Sequence, residues 1–320
     1  MSRPTGVRGG RAERAGHGDH AGHVRDGGRV GPAPGAARAR EGTLGMAHEE
    51  YGGDDDAAFQ ALTAKVTRER GFGCASYKEK CLRRRIAVRM RACGVHSYED
   101  YARVLDADAR EYERLLDALT INVTKLFRNW ETYATVARTV VPAVWALADE
   151  TLRAWSAGCS SGEEAYSLAI LFHQHAEALR ETRRLSRLRV LGTDIDRDSL
   201  AAAERGAYEE AAFAETPAEL RARYFSGTRP HAVVPEVRAL VEFERHDLLR
   251  EEPPAGQHLI ACRNVIIYFD RDTQEALFQR FHAALRPGGF LVLGKVETLL
   301  GPARAMFAPV DARERVFRRL

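Results

Sequence analysis

Residues 155–170 read WSAGCSSGEEAYSLAI. Small residues at a turn are followed by two adjacent carboxylates and then by an apolar run at helical spacing. Such a turn lets a ligand approach the backbone, and a helix start offers it unpaired N–H groups and the positive end of the dipole. A phosphate would use both. Glu163 and Glu164, however, put carboxylates where its oxygens belong, and the GK[ST] of a phosphate-binding loop is missing. The turn therefore suits a ligand that is cationic or rich in amines and hydroxyls.

Two further acids extend the pattern. Asp194 closes LRVLGTDI and is placed to accept ribose hydroxyls. Asp247, in ERHDLL, is placed to accept adenine amino protons. A nicotinamide dinucleotide would call for G-x-G-x-x-G, which is absent, and for a pyrophosphate facing acids. S-adenosylmethionine carries an amine, a sulfonium and a ribose but no phosphate, and it fits better. One strand-end acid is an ordinary helix cap; three at successive strand ends of one sheet describe a site.

The elements that hold these acids alternate. LRAWSAG, LRVLGTDI, LVEFERHDLL, HLIACRNVIIYF and FLVLGKVE each contain a strand, interleaved with helices such as GEEAYSLAILFHQHAEAL, DRDSLAAAERG and TQEALFQRFHAAL. Strand–helix alternation predicts an α/β fold, a parallel sheet covered on both faces, from residue 151 to 320. PGG at 287–289 reads as a helix breaker, and MFAPVDARERVFRRL reads as a closing hairpin. Residues 208–243 interrupt the alternation, and their turn signals and β-branched residues predict an inserted β-rich subdomain, centred on 223–243.

Before the sheet, residues 55–120 predict a small helical domain and 121–150 a linker helix. Phe59, Leu62 and Val66 share one helical face. Tyr77, Cys81, Leu82, Ile86 and Met90 keep the same spacing through a stretch that also carries seven cations between Lys78 and Arg91. Ser97 and Asp100 form a capping box. Residues 1–50, rich in Gly, Arg and Ala, lack the large apolar side chains needed to offset ordering entropy and are expected to be disordered. The abrupt change at Met46 also fits a later translation start.

A chain of 320 residues, 45% hydrophobic with a formal charge of +3, is long enough for a sizeable core and gives no general pull toward nucleic acid. No window approaches twenty apolar residues and the N-terminus has no apolar stretch behind its charges, so the expectation is a cytoplasmic protein without membrane insertion. Five cysteines at irregular spacing, with no CxxC pair, argue against structural zinc and a disulfide framework.

Taken together, NVTKLFR (122–128), AWSAGCSSGEEAYSLAI (154–170), LGTDIDRDSL (191–200), ERGAY (204–208), RYFSG (223–227), ACRNVIIYFD (261–270) and LRPGGFLVLGKVE (285–297) resemble the chemotaxis receptor methyltransferases, the CheR family of protein-glutamate O-methyltransferases. The resemblance covers about residues 57–318. It implies a Rossmann-like S-adenosylmethionine-dependent methyltransferase sheet preceded by a helical domain. It also implies transfer of a methyl group to glutamate side chains of chemoreceptors, giving methyl esters and S-adenosylhomocysteine.

By the same resemblance, Asn122, Thr124 and Arg128 close over the cofactor. Ala157, Gly158 and either Glu163 or Glu164 surround its methionine part, and Asp194 takes the ribose. Asp247 and Leu248 neighbour the adenine, Arg263 and Asn264 lie beside the sulfonium, and Arg128 and Tyr268 border the reacting carboxylate. The partner implied is the cytoplasmic helical bundle of a chemoreceptor. A basic stripe with Arg83, Arg84 and Arg89 is expected to attract its acidic helices, and in some members the β-subdomain binds a receptor C-terminal peptide by strand addition. The chain departs from the family pattern at Lys295 and Val296, where GKVE replaces GHSE, at GEEAYS for GEEPYS and at KLFR for xFFR.

Two other readings compete. A nucleic-acid methyltransferase would be expected to show [DNS]-PP-[YFW] after the fourth strand, or a cysteine nucleophile after proline; CRNVIIYFD has neither, and only the arginine-rich tail favours it. A non-catalytic cofactor-binding scaffold would retain the fold and bind without transfer.

Overall fold

The computed structural model describes residues 53–120, 124–147 and 151–320. The expectations for the tail at 1–50 and for Asn122 fall outside them.

Four helices open the described chain: α1 (Gly53–Arg70), α2 (Glu79–Ala92), α3 (Tyr98–Ala107) and α4 (Ala109–Leu119). Phe59, Leu62 and Val66 of α1 pack with Leu82, Ile86 and Met90 of α2 and with Tyr101, Leu105, Leu115 and Leu119 in a core separate from the sheet. The Ser97 hydroxyl accepts the Asp100 amide at 3.1 Å, so α3 begins at the expected cap. Buried Glu111 holds the domain together. It accepts two bonds from Arg89, at 2.9 and 2.7 Å, and one from the Tyr101 hydroxyl at 2.8 Å.

The expected linker helix is shorter than 121–150. Residues 124–129 are irregular, with Phe127 and Asn129 at positive φ. α5 (Trp130–Thr135) then widens into a π-helical turn over Val136–Val140 and continues as α6 (Val141–Trp145). Pro142 has no N–H to return to the preceding turn, which accounts for the loosened hydrogen bonding there.

The main sheet is built from β1 (Leu152–Ala157), β2 (Leu188–Asp194), β5 (Val241–Arg245), β6 (Gln257–Cys262), β7 (Leu285–Leu293), β8 (Phe307–Asp311) and β9 (Val316–Arg319); β3 (Ala207–Tyr208) and β4 (His231–Ala232) form a separate ribbon. Order across the sheet is β5-β2-β1-β6-β7-β9-β8. The first five strands are parallel neighbours, and β9 joins β7 antiparallel with β8 outside it. Strand order reverses at β1, leaving a crevice beyond the carboxyl ends of β1 and β6, where ligands of such sheets bind.

Both faces are covered because the strands alternate between two cores. Leu152, Ala154, Leu259, Ala261, Phe290 and Val292 join α7 (Glu163–Ala178) on one side. Trp155, Ala157, Ile260, Cys262, Leu291 and Leu293 join Phe278 and Phe281 on the other. The remaining helices are α8 (Arg197–Arg205), α9 (Ala218–Tyr224), α10 (Pro235–Arg238), α11 (Arg271–Ala284), which carries those two phenylalanines, and α12 (Ala303–Met306).

Two expectations are corrected. The insertion is not β-rich: it contributes one ribbon of two-residue strands, an isolated Phe225–Val233 bridge and the helices α9 and α10. Val233 and Val237 are buried against the main core, and Pro235 starts α10 rather than extending a strand. The PGG segment does not separate helix from strand either. α11 ends at Ala284 and β7 runs through 287–289, with a register shift opposite Gln257 and Leu259.

Candidate functional site: a nucleoside cleft at the sheet crest

β1 ends in a turn that the rest of the crest grips. Gly158 and Cys159 each donate a backbone N–H to the Thr193 carbonyl at 2.8 Å. Gly158 has φ +79°, and a Cβ there would lie 2.6 Å from a Val265 methyl. Only glycine lets the turn of β1 pass that close to the loop after β6. The Asp194 carboxylate accepts the Ser160 amide at 2.8 Å and the Asp196 amide at 3.0 Å. The Tyr208 hydroxyl, from ERGAY, donates to the Ser161 carbonyl at 2.8 Å.

Two connected cavities open around this turn. The larger, about 740 Å³ including space open to solvent, is lined by Asp194, His246, Asp247, Leu248 and Tyr268 from the sheet crest, and by Phe72, Tyr77 and Leu119 from the helical domain. The smaller, about 420 Å³, is lined by Thr124, Arg128, Tyr133, Glu164 and Arg263. Gly158, Ser160, Asn264 and Val265 border both.

The two glutamates have different surroundings. Both are buried, and burial raises each carboxyl to about 7. Glu163 points at Ser161, whose hydroxyl reaches both of its oxygens at 3.0 and 2.8 Å, and it does not line either cavity. Glu164 lines the smaller cavity, accepts the Ser156 hydroxyl at 2.9 Å and faces an Arg263 nitrogen at 3.8 Å. Ala157 is fully buried beneath the turn with its methyl in the core.

Residues 124–129 are pinned from three sides. Ser167, in the helix after the glycine turn, accepts the Phe127 amide at 2.9 Å. Leu126 donates its amide to the Ala212 carbonyl at 3.0 Å. Arg263 donates to the Arg128 carbonyl at 2.8 Å and to the Asn129 side chain at 3.2 Å. On the other flank, the Glu297 carboxylate accepts the backbone amides of Asn264 and Val265, both at 3.0 Å, and that of Gly294, fixing the loop after β6 against the end of β7. Lys295 does not enter either cavity. It pairs with buried Glu314 at 2.6 Å, which ties the end of β7 to the closing hairpin, and Glu314 in turn accepts the Thr132 hydroxyl of α5 at 2.8 Å.

The helical domain supplies the remaining wall. Lys78 donates its amide to the Tyr268 carbonyl at 2.8 Å, Asp270 donates its own to Ser76 at 3.0 Å, and the rings of Tyr77 and Phe269 meet edge-on at 5.0 Å. Its basic stripe needs correction. Arg83 is taken up by Glu79 and Asp56, both at 2.6 Å, and lies over the Phe59 ring at 4.0 Å. Arg89 is engaged by Glu111. The outward cations of α2 are Lys80, Arg84 and Arg91, on one helical face with exposed Val88.

The cleft fits a phosphate-free nucleoside. Asp194 and Asp247 offer acceptors in the larger cavity and Glu164 a carboxylate in the smaller. Among the described residues, Ser160 Oγ, Asn264 Oδ1, His246 Nε2 and Arg263 Nε are buried without a protein partner, and all four residues border this space. Sequence reasoning missed His246, Ser160, Tyr133 and the helical-domain wall. The wall comes from Phe72, Tyr77 and Leu119 of the helical domain, which lie outside every one of the motifs.

A sheet of this order with such a cleft at its crest defines an S-adenosylmethionine-dependent methyltransferase. Family models agree: residues 57–120 match the CheR methyltransferase all-alpha domain and residues 122–316 the CheR methyltransferase SAM binding domain. A chemotaxis protein methyltransferase of Listeria innocua is 34% identical over 76% of this chain and 90% of its own length, and chemotaxis protein methyltransferase 2 of Pseudomonas aeruginosa is 34% identical over 76% and 86%. An uncharacterised 104.1 kDa protein of Rhodobacter capsulatus is 35% identical over 76% of this chain, which spans only 26% of that protein. The chain belongs to the CheR methyltransferase family. Among the described residues no helix is long and apolar enough to cross a membrane.

Proposed function

We propose that this chain methylates glutamate side chains of chemoreceptors, acting in sensory adaptation as a protein-glutamate O-methyltransferase. The observation that carries the reading is the junction of the two cavities. At Gly158, Ser160, Asn264 and Val265 an acid-lined nucleoside cleft meets a pocket holding both Glu164 and the cations Arg128 and Arg263. S-adenosylmethionine, when bound, supplies an electrophilic methyl group.

Asp194 is the ribose ligand in this reading, with Asp247 and Leu248 at the adenine. Glu164, rather than Glu163, faces the methionine amine, because it alone of the two lines the cavity; Glu163 holds the turn through Ser161. Thr124 and Asn264 border the methionine part. Arg128 and Tyr268 flank the incoming carboxylate, Arg128 by charge-assisted hydrogen bonds and Tyr268 by its hydroxyl. A glutamate is already ionised at neutral pH, so the site needs no strong base. Its task is to orient the carboxylate and exclude water.

The outward face of α2, Lys80, Arg84 and Arg91 around Val88, is the surface offered to an acidic receptor helix bundle. Within the insertion, the described residues offer a receptor C-terminal peptide the two-residue ribbon at 207–208 and 231–232 to extend.

The test is transfer of radiolabelled methyl from S-adenosylmethionine to chemoreceptor membranes, with Asp194→Ala as control. Base-labile label on the receptor, lost with the variant, is the expected result. Cofactor binding without label, or label on nucleic acid instead, rejects the proposal.

A further inference from the structure

Arg85 sits in α2 but points away from the outward cations, into the seam between the helical domain and the loop after β6. It is 8% exposed. Its guanidinium donates to the carbonyls of Ala118, at 3.2 Å, and Leu119, the last two of α4. Its carbon lies 4.8 Å from the centre of the Tyr268 ring. Among the described residues no carboxylate pairs with it, unlike Arg83 and Arg89 on the same helix. Burial accordingly pulls its pKa down, yet a guanidinium stays charged.

A buried cation neutralised only by helix-end carbonyls and a π face is costly to keep. Its position suggests what it serves. Leu119 and Tyr268, which it bridges, both line the nucleoside cleft. A cation over a phenol ring draws electron density from it and makes the hydroxyl a stronger hydrogen-bond donor. Burial raises the Tyr268 pKa, while Arg85 and then Arg128 pull against that rise.

We propose that Arg85 is a positioning residue for methyl transfer: it fixes the Tyr268 ring against the end of α4 and strengthens the Tyr268 hydroxyl as a donor to the incoming carboxylate. The inference rests on the role proposed above for Tyr268.

A double-mutant cycle tests it. Arg85→Met and Tyr268→Phe are made singly and together in the full chain, and kcat is measured at saturating S-adenosylmethionine and receptor, with cofactor affinity by calorimetry. Tyr268→Phe keeps the ring and removes only the hydroxyl. Arg85→Met is expected to lower kcat about tenfold in the Tyr268 protein and to leave it unchanged in the Tyr268→Phe background, with cofactor affinity within about twofold throughout. Arg85→Lys, which keeps the charge, should restore part of the loss and serves as the comparison if Arg85→Met does not fold. Losses that multiply would show a purely structural Arg85 and overturn the inference while leaving the Tyr268 role intact. Full activity of Tyr268→Phe would remove the Tyr268 role and the inference with it.

Discussion

Arg263 donates to the main-chain oxygen of Arg128 at 2.8 Å, across 135 residues of sequence. Its other terminal nitrogen lies 3.8 Å from Glu164, so one guanidinium holds the segment over the smaller cavity and balances the acid within it. Arg263→Gln removes both. S-adenosylmethionine affinity is expected to fall at least about tenfold, with its pH optimum moved upward because Glu164 loses its cation. Calorimetric titrations from pH 6.5 to 9 check this, and an unchanged dissociation constant contradicts it.

Glu164 links cofactor binding to stability. Burial raises its folded-state pKa from 4.5 to about 7, with Arg263 opposing. The folded protein therefore binds this proton more tightly than the unfolded chain. The resulting stabilisation is complete below pH 4.5 and is lost as pH rises through 7. Glu164→Gln is neutral throughout. Without cofactor it should melt like the parent at pH 5 and gain up to about 3 kcal/mol at pH 8, while binding S-adenosylmethionine more weakly. Thermal melts at the two pH values decide, and a variant less stable at pH 8 counts against the assignment.

Gly158→Ala tests the crest turn. The substitution strains a positive φ and drives a methyl into Val265 at 2.6 Å. Destabilisation of about 1–3 kcal/mol and loss of cofactor binding are expected. Val265→Ala in the same chain should return part of both, since the clash is with its methyls. Failure of that second change to help would place the defect elsewhere.

Arg83 and Arg84 are neighbours in sequence with opposite environments. Arg83→Glu breaks the contacts to Glu79, Asp56 and the Phe59 ring and should lower stability by about 1–2 kcal/mol. Arg84→Glu should leave the melting temperature and cofactor affinity alone and raise KM for receptor about fivefold. Equal receptor kinetics in Arg84→Glu and the parent would remove α2 from the docking surface.

Much of this protein was legible in local pattern. Period-two and period-3.6 apolar spacing reports burial directly, so the five parallel strands, their helices, the closing hairpin and the Phe59–Leu62–Val66 face could be read without coordinates. Acids at strand ends, with no phosphate-binding signature, pointed to the kind of ligand. The insertion misled because β-branched residues such as Val233 and Val237 serve a core as well as a strand, and Pro235 opens a helix as readily as it ends one.

Tertiary structure alone decided which of two adjacent glutamates faces the cavity. Helix α7 turns about a hundred degrees per residue, so only one of the pair can look toward Arg263. It also decided that Arg83 and Arg89 are engaged by acids of their own helical domain and that Arg85 reaches Tyr268, because a charge in sequence carries no record of its partner. Chemistry is written in residue types and spacing; the pairing of charges and the walls of a cleft are set by contacts between distant segments, and those exist only once the chain has folded.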